Sequence, residues 1–331
     1  MQGKSEKTER YKSPVAAIFT GIGDLFKRAE NELDLQELPP LDGKKVLITG
    51  ASSGLGFATA VELARRGAHV IMAIRSGIPQ KGDEVKRLSG SSRVDMISLD
   101  LTKLESLKAF ADDVVKKFGP MDIIVCNAAM VANKSRATKE DLDEMFVVNY
   151  FAKFLLAKQL LNGNLLNFKG PDLPRIIIVA SESHRNASEY DWDHFGTYEP
   201  YGIKQSVAMY GYYKLLLLTM ASELSRRLKQ EGKVQCSVFA LCPGPVNSNI
   251  AREAPRLFQP LLKLVFGIFF RSPKKACRPV IYLAASKKLE GSTGNYMFLM
   301  EEKAMDDKAR DPENGSRLWE LSEQLEQRII K

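Results

Sequence analysis

Histidine is scarce in this chain of 331 residues. His69, His184 and His194 are the only three, which argues against a histidine-rich metal site. Cysteine is sparse as well. Cys126, Cys236, Cys242 and Cys277 lack the spacing of a metal site or a disulfide framework and lie in apolar runs, so they read as reduced core thiols. No stretch reaches the ~18 uninterrupted apolar residues of a membrane span. The order of a secretory leader, a basic start followed by an apolar core and a small-residue cleavage site, is missing too. Lys and Arg number 48 against 40 Asp and Glu, a formal charge of +8. Without a basic block, that mild excess suits an anionic ligand or an anionic membrane surface and argues little for nucleic acid. The expected location is cytoplasmic, with peripheral contact to a membrane surface left open. What is present is 44% hydrophobic and 27% charged residues, enough to bury a large core and to exclude a disordered tail.

The first forty residues form an extension. Met1 to Arg10 is polar, whereas Val15 to Arg28 places Ile18, Phe19, Ile22, Leu25 and Phe26 at helical spacing, before Pro39-Pro40 closes the segment. An amphipathic helix there serves either as a surface anchor or as a piece docked on the body of the protein. From Leu41 onward, short β-rich runs alternate with segments of helical period. The runs are Lys45 to Thr49, His69 to Ile74, Val94 to Leu99, Met121 to Cys126, Arg175 to Ala180, Gln235 to Leu241 and Tyr296 to Leu299. Continuous apolar strands separated by helices predict a parallel sheet covered on both faces. The expected architecture is therefore one Rossmann-type, doubly wound α/β domain over residues 41–300 with a seven-stranded parallel sheet. Ligand is expected at the carboxyl ends of its strands. Residues 301–331, with Leu318, Leu321, Leu325 and Ile329 on one stripe, read as a helical tail that docks.

The first strand runs directly into Gly50-Ala51-Ser52-Ser53-Gly54-Leu55-Gly56. A tight turn is needed at Gly50, close approach of backbone to a pyrophosphate near Gly54, and helix-to-strand packing at Gly56; the helix amino terminus then offers N–H groups and the positive end of its dipole. A glycine triplet alone is weak evidence, but its place between a buried strand and a helix makes it a dinucleotide site. After the second strand no carboxylate appears to meet a ribose 2′-hydroxyl. Arg75 stands there, and a guanidinium would pair with a 2′-phosphate, so NADP(H) is expected over NAD(H). Further on, Tyr210 and Lys214 stand four apart in Tyr210-Gly211-Tyr212-Tyr213-Lys214, on one helical face. A free phenol, with a pKa of ~10, is a poor acid-base catalyst at neutral pH. An ammonium ~4 Å away in an effective dielectric of ~20 contributes about 4 kcal/mol toward its anion before desolvation opposes it.

The glycine spacing, and the Tyr and Lys that follow 160 residues after Gly50, resemble the short-chain dehydrogenase/reductase family, in the branch of retinol dehydrogenases and the WW-domain oxidoreductase. The resemblance spans about Leu41 to Leu299. It implies that Asp100-Leu101 contacts adenine and that Cys126-Asn127-Ala128-Ala129 stands for the family's Asn-Ala-Gly element, with Ala129 where Gly is commoner. It implies that Asn149 supports a water in the proton relay and that Ser181, at the end of the fifth strand, orients the substrate oxygen, with Ser183 as the alternative. Ser206 is nearer Tyr210 in sequence but lies in the wrong local context. Pro243-Gly244-Pro245-Val246 then resembles the turn beside the nicotinamide, with Ser248 in place of the usual Thr.

The resemblance therefore implies an oxidoreductase that interconverts a carbonyl and an alcohol. In it the nucleotide carries the hydride, and Tyr210, Lys214, Ser181 and Asn149 handle the proton. The gap of 29 residues from Ser181 to Tyr210 holds an insert, Asn186 to Gln205, expected to lie over the site. His184 is not required as a base beside Tyr and Lys. The apolar segment Leu257 to Phe270 has three readings: closure over a lipid-like substrate, insertion into a membrane surface, or a packed helix pair or oligomer contact. A retinoid, steroid or fatty carbonyl would suit, and dimers or tetramers are plausible by analogy. The rival function is a nucleotide-binding regulatory module without chemistry, which would normally show a broken catalytic set.

Overall fold

The computed structural model describes residues 37–162, 164–246 and 271–329. The segments 15–28 and 257–270, and Ser248, lie outside them. The sheet forms from the apolar runs. β1 (Lys45–Thr49), β2 (His69–Ile74), β3 (Val94–Ser98), β4 (Ile123–Cys126) and β5 (Arg175–Val179) are followed by a small hairpin, β6 (Lys229–Gln230) and β7 (Lys233–Val234). β8 (Ser237–Cys242), β9 (Tyr296–Phe298) and β10 (Glu301–Glu302) complete the set. The main sheet has the order β10-β9-β8-β5-β4-β1-β2-β3. Seven of its strands are parallel, as the sequence predicts, and the two-residue β10 adds an antiparallel edge. The order reverses between β1 and β4, so the carboxyl ends of those two strands open the crevice where a doubly wound sheet binds its ligand.

Strand alternation distributes the core over both faces. Val46, Ile48, Val70, Met72 and Val125 pack on one side with α1 (Gly54–Arg65), while Leu47, Ile71 and Ile124 are equally buried on the other. This two-sided burial is the reason the strands read as continuous apolar runs instead of alternating ones. The remaining long helices are α2 (Gln80–Ser89), α3 (Leu104–Phe118), α4 (Ala152–Asn162), α5 (Ile203–Arg227), α6 (Arg278–Ala285) and α7 (Pro312–Ile329). α6 contributes Val280, Ile281, Leu283 and Ala284 to the layer with α1. α4 is entered through a helical turn at Glu144–Phe146 and a π-helical turn at Val147–Phe151. α7 docks along α5 and α4: the hydroxyls of Tyr150 and Ser322 are 2.6 Å apart, Trp319 meets Phe154 edge-on at 5.0 Å, and Lys158 pairs with Glu326 at 2.6 Å.

Candidate functional site

The glycine turn has the geometry its sequence requires. Gly50 and Gly54 adopt φ of +68° and +56°, open to glycine and costly for other residues. A Cβ on Gly50 would stand 2.8 Å from the Ala128 backbone, and one on Gly56 would stand 2.5 Å from the Gly50 carbonyl oxygen. The turn is pinned from β4. Asn127 Nδ2 donates to the carbonyls of Thr49 and Gly50 at 3.1 and 3.2 Å, while the Asn127 and Ala128 N–H groups donate to Thr49 Oγ1. The Asn127 side chain thus holds the loop open, and the backbone beyond it is left to meet a ligand. Ser53 caps α1 without a side-chain bond, and no acidic residue stands in the first turn of that helix. In the same turn, Ser52 is half-buried and Leu55 is buried. An anionic diphosphate fits here, at a helix start with unspent N–H groups and no competing carboxylate.

Arg75 is exposed immediately after β2 and has no hydrogen bond or ion pair among the described residues. Asp100 is half-buried and turns the chain by accepting from the Thr102 N–H and hydroxyl at 3.2 and 2.8 Å; Leu101 beside it is buried. At the far side of the crevice, Pro243 follows β8, Gly244 has φ +76°, and half-buried Val246 bridges to Arg271.

Tyr210 and Lys214 face the same way on α5, with Lys214 Nζ 5.5 Å from the centroid of the Tyr210 ring. Lys214 is 1% exposed, and its Nζ donates to the Val179 carbonyl at 3.1 Å, which ties the cation to the end of β5. Burial lowers Lys214 to a pKa of about 8, opposed by the nearby Cys242 thiol. Burial, aided by Cys242, pushes the Tyr210 phenol above its ordinary value, and the hydrogen bond from Ser181 is what opposes it. The spacing argument expects the ammonium to pull the phenol down. Burial sets the direction instead: the loss of water around the phenolic oxygen is the largest influence on Tyr210.

Ser181 is the serine that reaches Tyr210. Its oxygen accepts from the Ser183 N–H at 3.3 Å and the Ser183 hydroxyl at 2.8 Å, which leaves the Ser181 hydrogen for Tyr210. Ser183, named as the alternative, is therefore the partner that orients Ser181. Close approach of the two segments depends on Gly211, where a Cβ would stand 2.8 Å from the Ser183 carbonyl oxygen. A glycine in mid-helix costs about 1 kcal/mol against alanine, and that cost was the available signal for this contact. Ser206 is spent on the Ala132 carbonyl. His184 is fully buried; its Nε2 accepts from the Asp306 N–H at 3.3 Å, so Nδ1 carries the hydrogen and donates to the Ser181 carbonyl at 2.7 Å. Burial lowers its pKa. Asn149 is also fully buried, with both ends of its amide on the main chain of Met130, at 3.0 Å to the N–H and 2.8 Å to the carbonyl.

The insert departs from expectation. Tyr190 bonds Thr219 at 2.6 Å, the Asp191 N–H donates to the Tyr212 hydroxyl at 3.2 Å, and Phe195 packs edge-on against Phe146 at 5.6 Å. Tyr212 and Thr219 lie about 200° and 180° around α5 from Tyr210 at 3.6 residues per turn. The aromatic part of the insert therefore covers the back of that helix, where its rings find apolar surface. Its end, at Tyr198 and Tyr201, is held by Ser135.

No group of three or more potential metal ligands occurs among the described residues, and no described helix is long and apolar enough to cross a membrane. The profile of the short chain dehydrogenase family matches residues 44–198. The chain is 33% identical over 300 residues to retinol dehydrogenase 14 of Homo sapiens, covering 86% of each. It is 33% identical over 298 residues to the WW domain-containing oxidoreductase of Danio rerio, covering 87% of this chain and 69% of that one. Among solved structures, an uncharacterized protein from Mycobacterium paratuberculosis superposes with a TM-score of 0.67 at 27% identity, over 89% of this chain and 97% of the other.

Proposed function

The chain belongs to the short-chain dehydrogenase/reductase family, in its retinol dehydrogenase-like branch, and is an NAD(P)-dependent oxidoreductase of carbonyl and alcohol groups; from that premise we propose that it uses NADP(H) on a hydrophobic, lipid-like substrate, with Tyr210 as proton donor and acceptor. The observation that carries the proposal is the convergence of Ser181, Tyr210 and Lys214, drawn from the end of β5 and one face of α5. The nucleotide, when bound, supplies or takes up the hydride. Gly50, Ser52, Ser53, Gly54, Leu55 and Gly56 would hold its diphosphate, Asp100 and Leu101 its adenine, Asn127 and Ala128 the wall between, and Pro243, Gly244 and Val246 its nicotinamide end. Lys214, a buried cation with a single carbonyl partner among the described residues, is suited to hold the ribose hydroxyls. Arg75, exposed and without a partner among the described residues, is suited to a 2′-phosphate.

Tyr210 is protonated at neutral pH because burial holds its phenol up, and that is the form needed to give a proton to a carbonyl oxygen. Ser181, with its acceptor side filled by Ser183, gives its one hydrogen to Tyr210 while no substrate is bound and would turn it to the same carbonyl oxygen when substrate enters. Asn149 holds the turn after β4 through Met130, and its main-chain carbonyl, which accepts from Lys153, keeps a second lone pair for the relay. Ile203 and Val207 support an apolar substrate. They are 61% and 58% exposed on α5 and continue, at spacings of four and three, the stripe that ends in Tyr210. The test is a panel of aliphatic aldehydes, retinoids and steroids assayed with NADPH and NADH in parallel. Turnover of long apolar carbonyls with NADPH favoured is expected; preference for NADH would remove the Arg75 argument, and preference for small polar carbonyls would remove the substrate argument.

A further inference from the structure

A second lysine lies buried beside the first. Lys153 is 3% exposed, one turn after Asn149, and no carboxylate among the described residues meets it. Its Nζ donates to the main-chain carbonyls of Val148 at 2.8 Å and Asn149 at 3.1 Å. Both carbonyls belong to the π-helical turn Val147–Phe151, in which the Ala152 N–H reaches back five residues to Val147. A π-turn displaces carbonyls from their usual donors, and the lysine amine supplies the replacement for two of them.

We propose that Lys153 is a positioning residue for the reaction: by holding the Asn149 carbonyl in the π-turn, it fixes the inner end of the proton path that begins at Tyr210 and Lys214. This rests on the reading of the site given above. The titratable groups facing Lys153 are Cys126, at the end of β4, and Lys214, on α5. Burial, and then the charge of Lys214, hold Lys153 well below the ordinary lysine value, with Cys126 opposing. The shift favours the neutral amine, whose two hydrogens serve the two carbonyls. Protonation places a second cation against Lys214, so what the neutral amine contributes is lost as pH falls through its depressed pKa.

The discriminating experiment compares the full chain with its Lys153→Met, Lys153→Gln and Tyr210→Phe variants. NADPH binding is followed by fluorescence, and kcat for a long-chain aldehyde is followed across pH. Lys153→Met should bind NADPH as the native protein does and lose at least about tenfold in kcat. Lys153→Gln, whose amide still donates but does not titrate, should recover most of that loss while its acid limb moves to lower pH. Native kcat and a native pH profile in both variants would overturn the proposal, as would a loss in both with the acid limb unmoved, which marks a packing role. Should Lys153→Met fail to fold, Lys153→Gln alone decides through its pH profile. Full turnover by Tyr210→Phe would instead overturn the reading of the site, an outcome separate from any result at Lys153.

Discussion

The two halves of the crevice treat polar groups in opposite ways. On the side of β1 to β3, the Arg75 guanidinium is exposed and has no partner among the described residues, and Ser53 caps its helix without using its hydroxyl. On the side of β5 and α5, Lys214, Asn149 and His184 are buried almost completely, each on main-chain partners. The first half is prepared for a charged ligand that brings its own counter-charges, so exposure costs nothing. The second must shift proton affinities, which requires a dry environment, and it carries the cost of desolvating Lys214 even without ligand.

The sharpest break in this comparison is Tyr210→Phe. Removing the phenolic proton should lower kcat by about 10²–10⁴-fold with NADPH binding retained, measured by steady-state turnover and fluorescence titration. Next is the cost of Lys214. Its folded pKa of about 8 lies below the ordinary 10.5, so between those values the unfolded chain binds the extra proton and stability rises with pH; below 8 both states are protonated and the cost is at its full extent. Lys214→Met should therefore gain up to about 3 kcal/mol over the native protein at neutral pH, an advantage that shrinks as pH rises from 8 to 10.5. Denaturant unfolding at several pH values checks this. Gly211→Ala tests the contact between the regions that carry Ser181 and Tyr210. A methyl 2.8 Å from the Ser183 carbonyl should cost about 1–3 kcal/mol of stability and lower kcat more than it raises KM. The smallest effect belongs to the open half: Arg75→Ala should reduce the preference for NADPH over NADH by roughly tenfold, about 1.5 kcal/mol, without changing kcat for NADH.

The sheet was legible because strands buried on both faces leave uninterrupted apolar runs, and the glycine turn because tight backbone approach leaves no other residue type. β10 was not, since Glu301 and Glu302 carry no apolar signal and pair only because the chain reverses after Leu299, at φ +59°. Within the site, Tyr210 and Lys214 could be paired from helical spacing alone. The link from Ser183 to Ser181, the burial of Lys153 and the docking of the insert behind α5 depend on which helix faces meet, and local sequence does not encode that. Lys153 in particular has the polar character of a solvated helix position and is buried only because α4 packs between α3, α5 and α7. The same limit explains why the electrostatic argument for Tyr210 could size the attraction but only name the desolvation that opposes it: spacing is visible in a sequence, and dryness is not.

The central claim is that Ser181 and Tyr210 act on one oxygen as a unit, and a double-mutant cycle reads that coupling directly. The rate of the chemical step is measured in single turnover with bound NADPH for Ser181→Ala, Tyr210→Phe and the double variant. The account predicts that the double variant is no slower than the worse of the two single variants, the non-additivity of groups that work together. Losses that simply multiply would show two independent residues and contradict it.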